Sequence, residues 1–461
     1  AVYHLQHDES KVYEAPVTPT GFPFLVQNKL LAPVSKRGIY ELKHEKFVLI
    51  PGSEKMADYV IVAILPYTDG KSLIVTEENG VFEYNGYSDF KPLNWQVNDF
   101  LIKSKVYSAI CLSEEYAIGT AHNGLLIVDK NGTPRQHLNR EKGLQNSNVR
   151  SIYQDQAGNL WLGLNNGIDY VETNSAFTLF NAKNGLPGTG YTSMLDGDIL
   201  YLGTNDGLFF KTWSNTENPL QPSAFRQVEN SQGQVYNLQK INGKLLMSHH
   251  NGPYEIINNT ARRISDHRGA WIFVPLASSP GYVICGTYTG LLLYRFVDGR
   301  LEFQQKISGF DESSRVMEED KEGNLWVSHG YKGVYKLKLS EKLDRVEKLD
   351  FYDQRAGFPS NLFINVFKIG GKLVFTGERG IYRYSKSTDS FEKHEELSKL
   401  FDQNQHVRKL IEDKEGNIWF SAGNEMGVIK KRSNGSYEVE KKVFNKLEGK
   451  LIGGFEHIMH Y

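Results

Sequence analysis

Residues 149–167 read VRSIYQDQAGNLWLGLNNG, two apolar strand segments joined by a tight turn. Asp155 is suited to hydrogen-bond the turn backbone, Gly158 supplies the positive φ of a hairpin loop, and Trp161 opens the second strand. The pattern returns at residues 316–327 (VMEEDKEGNLWV) and 407–420 (VRKLIEDKEGNIWF). A strand, a tight turn and a second strand that starts at tryptophan therefore form a repeated unit.

A glycine followed by apolar or aromatic residues recurs about every 43 residues along almost the whole chain. A period of roughly 40 to 50 residues is typical of propeller blades, which bury their faces only by stacking on one another. We therefore predict an all-β fold, a β-propeller of four-stranded blades with seven-bladed rings as the default arrangement. The recurring glycines are Gly38, Gly80, Gly124, Gly167, Gly207, Gly252, Gly290, Gly333, Gly380 and Gly427.

The spacing predicts ten full repeats with partial repeats at both ends. We assign residues 1–20 to the terminal strands of a truncated repeat and residues 21–314 to seven propeller repeats. Residues 315–461 then hold three further repeats plus one strand of an incomplete second propeller. Because open strand edges favour aggregation, a chain that stops within a blade is expected to be a piece of a longer protein. The alternative is that the end strands pair in one blade and close a ring.

The charge and apolar content exclude several classes of partner. The chain has 53 basic and 54 acidic residues, so it has no positive excess to neutralise phosphates, and we predict no direct nucleic-acid contact. The longest apolar run, Tyr59–Leu65, is far shorter than the roughly 20 residues that cross a bilayer, and the strand-like start does not resemble a signal peptide. Cys111 and Cys285 lie in apolar stretches and are predicted to be buried free thiols.

Residues 149–167 resemble the two-component regulator propeller repeat, and the repeats around Asp320 and Asp413 match that pattern nearly as well. The resemblance implies a sensor region of a Bacteroidetes-type hybrid two-component or one-component regulator, located in the periplasm. It further implies two seven-bladed propellers, a following β-sandwich, a transmembrane helix and an output module. Sensors of this family often detect glycan fragments, so the resemblance implies an oligosaccharide ligand and a homodimer formed by the full-length sensor.

Two histidine pairs are candidate metal ligands, but both are better explained as structural residues. His457 and His460 are three residues apart on a predicted strand and would point to opposite faces. His249 and His250 are adjacent in a predicted loop and would need a third ligand from another blade. No nucleophile elbow, phosphate-binding glycine loop or dense cysteine–histidine spacing is present. We therefore predict no metal, no cofactor and no catalytic residue.

A ligand is expected at the loops that join the second and third strands of each blade. In a propeller these loops share one face with the connections between blades, and binding residues tend to lie on loops held by a rigid scaffold. Aromatic and amide side chains there would suit a sugar, although each residue taken singly is also explained as a solvated loop tip. The candidates are Asn123, Asn166, His250, Tyr288, Tyr331 and Arg379.

The sequence is compatible with three functions. The first is a non-catalytic periplasmic sensor that binds a ligand and passes on a conformational signal. The second is a cell-surface or secretion-associated scaffold. The third is a propeller polysaccharide lyase or glycosidase; a glycosidase would need two converging carboxylates, and acidic residues in the predicted face loops are few. The fold alone does not separate these functions, because propellers host all three.

Overall fold

The computed structural model describes residues 2–6, 9–13, 22–86, 89–173, 175, 177–178, 180, 182, 185–214, 218–221, 224–402, 405–447 and 458. The chain divides into two compact units. Unit 1 comprises residues 1–185 with 215–223, and unit 2 comprises residues 186–214 with 224–461. Almost all regular structure in both units is antiparallel β-sheet.

Unit 1 holds one hairpin and four sheets, each built from strands that follow one another in the chain. The hairpin is β1 (Val2–Gln6) and β2 (Glu9–Tyr13); sheet 1 is β3 (Phe24–Val26), β4 (Lys29–Val34), β5 (Gly38–Lys43) and β6 (Lys46–Leu49); sheet 2 is β7 (Ile61–Pro66), β8 (Ser72–Thr76), β9 (Val81–Tyr84) and β10 (Phe90–Pro92); sheet 3 is β11 (Val106–Cys111), β12 (Glu115–Thr120), β13 (Leu125–Asp129) and β14 (Pro134–Leu138); sheet 4 is β15 (Val149–Gln154), β16 (Leu160–Leu164) and β17 (Gly167–Val171).

Unit 2 holds six four-stranded sheets with the same sequential order of strands. Sheet 5 is β18 (Gly190–Asp196), β19 (Ile199–Thr204), β20 (Leu208–Thr212) and β21 (Arg226–Gln227); sheet 6 is β22 (Val235–Ile241), β23 (Lys244–His249), β24 (Gly252–Ile257) and β25 (Thr260–Arg263); sheet 7 is β26 (Ala270–Pro275), β27 (Tyr282–Thr287), β28 (Gly290–Val297) and β29 (Arg300–Ile307); sheet 8 is β30 (Val316–Glu319), β31 (Leu325–His329), β32 (Gly333–Leu339) and β33 (Val346–Tyr352); sheet 9 is β34 (Asn365–Ile369), β35 (Lys372–Gly377), β36 (Gly380–Ser385) and β37 (Ser390–Lys393); sheet 10 is β38 (Val407–Glu412), β39 (Ile418–Ala422), β40 (Glu425–Lys431) and β41 (Tyr437–Glu440).

Among the residues described, helical structure is confined to short connections. These are α1 (Asn98–Ser104), α2 (Glu395–Ser398) and 3-10 turns at Ser53–Met56, Thr68–Gly70, Gln354–Ala356 and Lys442–Leu447. In the part of the chain that the structure describes, no helix is long and apolar enough to cross a membrane.

The core lies between sheets rather than within them. Each pair of neighbouring sheets in a unit shares one cluster of buried apolar side chains. In the described part of the chain there are three such clusters among sheets 1 to 4 and five among sheets 5 to 10. The first strands of successive sheets also contact one another, as β22 contacts β18 and β26. Four-stranded sheets stacked in this way form the β-propeller fold, and the predicted fold class is confirmed. The assignment of repeats to rings stays a prediction.

The recurring glycines are turn residues in nine of their ten copies. Nine of them have positive φ at the start of the third strand, and a Cβ on Gly290 would lie 2.2 Å from the Phe310 carbonyl oxygen. The tenth copy differs from the prediction. Gly427 lies inside β40, and Gly423, with φ of 57°, takes the left-handed position in the turn that precedes that strand.

The three Asp-Gly-Asn-Trp turns have the scaffold role that the sequence predicted. In each, one aspartate oxygen accepts hydrogen bonds from two backbone N–H groups of the turn, and the other accepts one from the tryptophan Nε1. The Nε1–Oδ2 distances are 3.2 Å for Trp161, 2.9 Å for Trp326 and 2.9 Å for Trp419. One carboxylate therefore satisfies three donors and fixes the turn.

Two further predictions are modified by the structure, and a third falls outside the described residues. Sheet 4 has three strands among the described residues instead of four, and its third strand leaves Ile168 and Tyr170 exposed. Cys285 is a buried free thiol as predicted, whereas Cys111 is half-buried because it ends β11 beside a turn. The predicted strand at 455–461, with His457 and His460, lies outside the described residues except for Ile458.

Candidate functional site

A β-bulge recurs near the start of the first strand in seven of the ten sheets described. The strand pairing skips one residue at the second position of the strand, as between Val235 and Asn237 in sheet 6. Such a bulge turns one side chain out of the pleat, so its size is not limited by the core. The seven bulge residues are Val62, Tyr107, Arg150, Tyr191, Tyr236, Trp271 and Arg408.

The bulges of sheets 5, 6 and 7 form an aromatic cluster in unit 2. Its members are Tyr191, Tyr236, Trp271 and Tyr288, of which the last lies in the loop between the second and third strands of sheet 7. The ring centroids of Tyr236 and Trp271 are 4.3 Å apart, and those of Trp271 and Tyr288 are 5.1 Å apart. Tyr191 packs edge-on against Tyr236 at 6.3 Å. In each of these sheets the first strand begins beside the end of the second strand. The bulge residues and the loops between the second and third strands therefore lie at the same end of the sheet.

Hydrogen bonds and one cation fix the rings of the aromatic cluster. The Tyr236 and Tyr288 hydroxyls are 2.6 Å apart, and the Tyr236 hydroxyl donates to Gln234 Oε1 at 3.1 Å. Trp271 Nε1 donates to Ser313 Oγ at 3.0 Å, and the Arg315 guanidinium lies 5.3 Å from the Trp271 ring centroid. Burial, followed by the hydrogen bond with Tyr288, raises the pKa of Tyr236, so this phenol stays neutral.

The end of the second strand carries a recurring turn residue. Four threonines accept a hydrogen bond from the backbone N–H two or three residues later, and each hydroxyl donates to the carbonyl of the glycine that follows the loop: Thr76, Thr120, Thr204 and Thr287. His249 and His329 occupy the same position, and each accepts from the backbone N–H two residues later through Nδ1. His249, which the sequence places in a loop, is the last residue of β23, and its Nδ1 holds the turn that follows.

The structure brings two of the six predicted ligand residues to the aromatic cluster. Tyr288 belongs to it, with 36% of its surface exposed. His250 lies in the loop of sheet 6 and accepts a hydrogen bond through Nδ1 from Gln234 N at 3.0 Å. Its ring packs against that of His249. Burial, followed by the charge of His250, lowers the pKa of His249 to about 4. Both residues thus connect to the cluster through Tyr236 and Gln234.

Two other predicted residues lie elsewhere in unit 2. Tyr331 is 66% exposed and packs on Phe363, which has φ of 50° and lies under the Arg408 guanidinium at 4.1 Å. Arg379 is exposed in the loop of sheet 9 with φ of 64°. They belong to the same kind of loop as Tyr288, but no contact described joins them to the aromatic cluster.

The remaining two predicted residues are in unit 1 and are held by neighbours. Asn123 Nδ2 donates to Ser104 Oγ at 2.9 Å, and its carbonyl lies 2.7 Å from His137 Nε2; an open depression of about 570 Å³ adjoins it. Asn166 Oδ1 accepts from Asn146 Nδ2 at 2.6 Å in an exposed loop. The two asparagines thus stabilise loops, and their role in binding stays a prediction.

Sequence reasoning missed the bulge residues, and a signal for them exists. In a regular strand, buried residues alternate, but buried Val235 and Leu238, like buried Ala270 and Phe273, are separated by two residues. A bulge is therefore indicated at the start of a repeat when two apolar residues are separated by two others, the first of which has a large side chain.

The groups at the aromatic cluster are suited to binding a ligand. Its members and the partners described are phenol, indole, hydroxyl, amide, imidazole and guanidinium groups. Aromatic rings stack on apolar faces of a ligand, and the polar groups around them fix its orientation. Among the described residues, no group of three or more His, Cys, Asp or Glu side chains could hold a metal ion.

The sequence comparison gives one family match. Residues 143–166 match the family described as "Two component regulator propeller". This segment is similar to that propeller repeat. The match covers β15, the Asp155 turn and all of β16, which is nearly the whole of the stretch quoted at the start of the sequence analysis. No curated protein sequence matches the chain.

Among solved structures, the chain is similar to extracellular domains from B. thetaiotaomicron. The first is that of BT3049, assigned as a hybrid two component system, at 18% identity and a TM-score of 0.64, covering 90% of this chain and 55% of the other. The second is that of BT4673, assigned as a one component system, at 16% identity and a TM-score of 0.47, covering 96% and 63%. This chain thus spans between about half and two thirds of their length.

Proposed function

We propose that the chain is the periplasmic, ligand-sensing propeller segment of a bacterial signal-transduction regulator, and that it binds a glycan fragment without cleaving it. Support comes from the two component regulator propeller repeat at residues 143–166 and from the fold shared with an extracellular domain of a hybrid two component system. The ligand site is the aromatic cluster of unit 2.

The main support for this proposal is the packing of Tyr236, Trp271 and Tyr288 at one end of their sheets. Pyranose rings present apolar C–H faces and polar edges, and three rings with neighbouring hydroxyl, amide and guanidinium groups complement both. A glycosidase would need two carboxylates facing the substrate, and the cluster as described has none. This composition favours recognition over hydrolysis.

Signalling is proposed to follow from a shift between two arrangements of paired sensors, with the ligand binding one arrangement more tightly. Homodimerisation is part of this proposal. Static light scattering of the chain with and without a bound oligosaccharide measures it, and a mass that stays monomeric in both conditions would remove the dimer from the mechanism for this segment.

The test is a thermal-shift screen of the chain against oligosaccharides, followed by titration calorimetry of each hit. A ligand at a hundredfold excess over its dissociation constant stabilises the folded chain by about 2.7 kcal/mol. We expect one structurally related group of hits, and Trp271→Ala is expected to weaken their binding about tenfold or more.

Trp161→Ala is the matched control, because Trp161 is 45% exposed and belongs to a scaffold turn of unit 1. It should leave the dissociation constant unchanged. A screen without hits on folded protein would contradict glycan binding by this segment and favour the scaffold function. Hits that Trp271→Ala does not weaken would place the site elsewhere.

A further inference from the structure

A cavity of about 480 Å³ lies between sheets 8 and 9 of unit 2. It is at one end of the sheets, and the aromatic cluster is at the other end. It is bordered by the turns that join the first and second strands, whereas the aromatic cluster is at the loops between second and third strands. We call it the glycine-turn cavity. Its volume falls within the range of roughly 300 to 1,000 Å³ that small-molecule sites occupy.

The cavity exists because neighbouring sheets have turns of different size. Sheet 8 joins its first two strands through the five-residue turn that starts at Asp320, whereas sheet 9 uses the two-residue turn Gly370–Gly371. Both glycines have positive φ, 56° and 68°, and a Cβ on either would meet nothing within 4 Å. The glycine turn therefore leaves space beside the Asp320 turn that no side chain fills.

Aromatic side chains form the wall of this cavity. Trp326 lies 4.9 Å from Tyr384 and 5.1 Å from Phe375 between ring centroids, and Leu373 completes the apolar lining. The Trp326 Nε1 is bonded to Asp320, and Trp326 and Phe375 are buried, so the cavity's accessible apolar surface comes from the partly exposed Tyr384 and Leu373. A flat apolar molecule can stack there without leaving a buried donor unsatisfied.

The charges at the rim favour an anion. Five basic and three acidic side chains line the cavity, and the acidic groups are engaged: both Glu319 oxygens accept backbone N–H groups, and both Asp320 oxygens accept turn donors. Glu322 pairs with Lys386 at 2.6 Å. Among the described residues, no carboxylate lies within ion-pair distance of the exposed Lys321 or Lys372 ammonium group. Lys368 and Arg383 pair with Glu318 and Glu392, so the positive charge that the protein does not neutralise is that of Lys321 and Lys372.

We propose that the glycine-turn cavity binds a small planar organic anion, with an aromatic body packed on Tyr384 and Leu373 and a carboxylate or sulfonate held by the rim lysines Lys321 and Lys372. This site is separate from the aromatic cluster and does not depend on the proposed glycan ligand. It gives unit 2 a second ligand position, at the opposite end of its sheets.

The test uses two probes of nearly the same shape, the anion 8-anilinonaphthalene-1-sulfonate and the neutral N-phenyl-1-naphthylamine, titrated by fluorescence into the full 461-residue chain. We expect one anion bound per chain and at least tenfold weaker binding of the neutral probe. Lys372→Glu should weaken anion binding about tenfold, because a favourable charge becomes a repulsive one.

Two further variants separate the cavity from general adsorption. Ala277→Trp places a large ring at the cavity's exposed edge while keeping the backbone N–H that Glu319 accepts, and it should abolish anion binding. Lys393→Glu, on the outer strand of sheet 9 and outside the lining, should bind like the unmodified chain. Equal binding of both probes, or anion binding unchanged in both Lys372→Glu and Ala277→Trp, would overturn the proposal.

Discussion

The turns at Asp155 in sheet 4 and Asp320 in sheet 8 share three hydrogen bonds to the aspartate carboxylate, yet their tryptophans differ in burial. Trp161 is 45% exposed and packs on Tyr170 of its own sheet. Trp326 is 2% exposed and is enclosed by aromatic side chains of sheets 8 and 9, among them Tyr352 and Phe391. The turn motif thus fixes the local backbone, whereas the packing of neighbouring residues decides how much the tryptophan stabilises the fold.

Replacing each tryptophan by alanine should give the largest difference in stability between the two turns. We expect Trp326→Ala to lower the free energy of unfolding by about 3 to 5 kcal/mol, because it leaves a cavity in an aromatic core. Trp161→Ala should cost about 1 kcal/mol or less. Urea unfolding followed by circular dichroism measures both, and equal losses would show that the motif itself, rather than its surroundings, determines the contribution.

A second comparison concerns the opposite end of the sheets, where His249 occupies the turn position that is threonine in four other sheets. His249 is buried and its pKa is lowered to about 4, so protonation favours the unfolded chain below the ordinary histidine pKa. Its contribution is complete above about pH 6.5 and is lost as the pH falls toward 4. We expect His249→Thr, which restores the common turn residue, to reduce the stability lost between pH 7 and pH 5 by about 2 kcal/mol.

Urea midpoints at the two pH values test this expectation. His329→Thr is the control, because His329 makes the same turn hydrogen bond but is only half-buried. Its effect on the pH dependence should be smaller than that of His249→Thr. A pH dependence that neither substitution changes would assign the acid sensitivity to other groups.

The aspartates of the two turns should differ least. Asp320→Ala leaves the backbone N–H groups of the turn and the Trp326 Nε1 without their acceptor, and we expect a loss of about 2 to 3 kcal/mol. For Asp155→Ala we expect about 1 kcal/mol, since water reaches the same donors in the more exposed turn. A larger loss for Asp155→Ala than for Asp320→Ala in urea unfolding would contradict this order.

Local turn chemistry made most of the fold predictable. An aspartate, a glycine and a tryptophan at fixed spacing specify a hairpin within ten residues, and the recurring glycines mark the start of the third strand. These signals depend only on neighbours in the chain, so sequence contained them. Gly427 misled because Gly423, four residues earlier, satisfied the same requirement.

The sites were less predictable because they depend on positions between sheets. Tyr236 and Trp271 come together only through bulges that break the strand alternation, and the sequence analysis selected Tyr288 without them. The glycine-turn cavity depends on missing side chains at Gly370 and Gly371 facing a turn about 50 residues earlier in the chain. Such absences have no local signature.

The recurring bulge has a consequence for how proteins of this architecture diversify. Residues at the seven bulge positions range from valine to tyrosine, tryptophan and arginine while the strands around them keep the same register. Substitution at such a position changes the chemistry of one face without repacking the core. A gene that encodes these repeats can therefore acquire a new specificity one codon at a time, with each intermediate still folded.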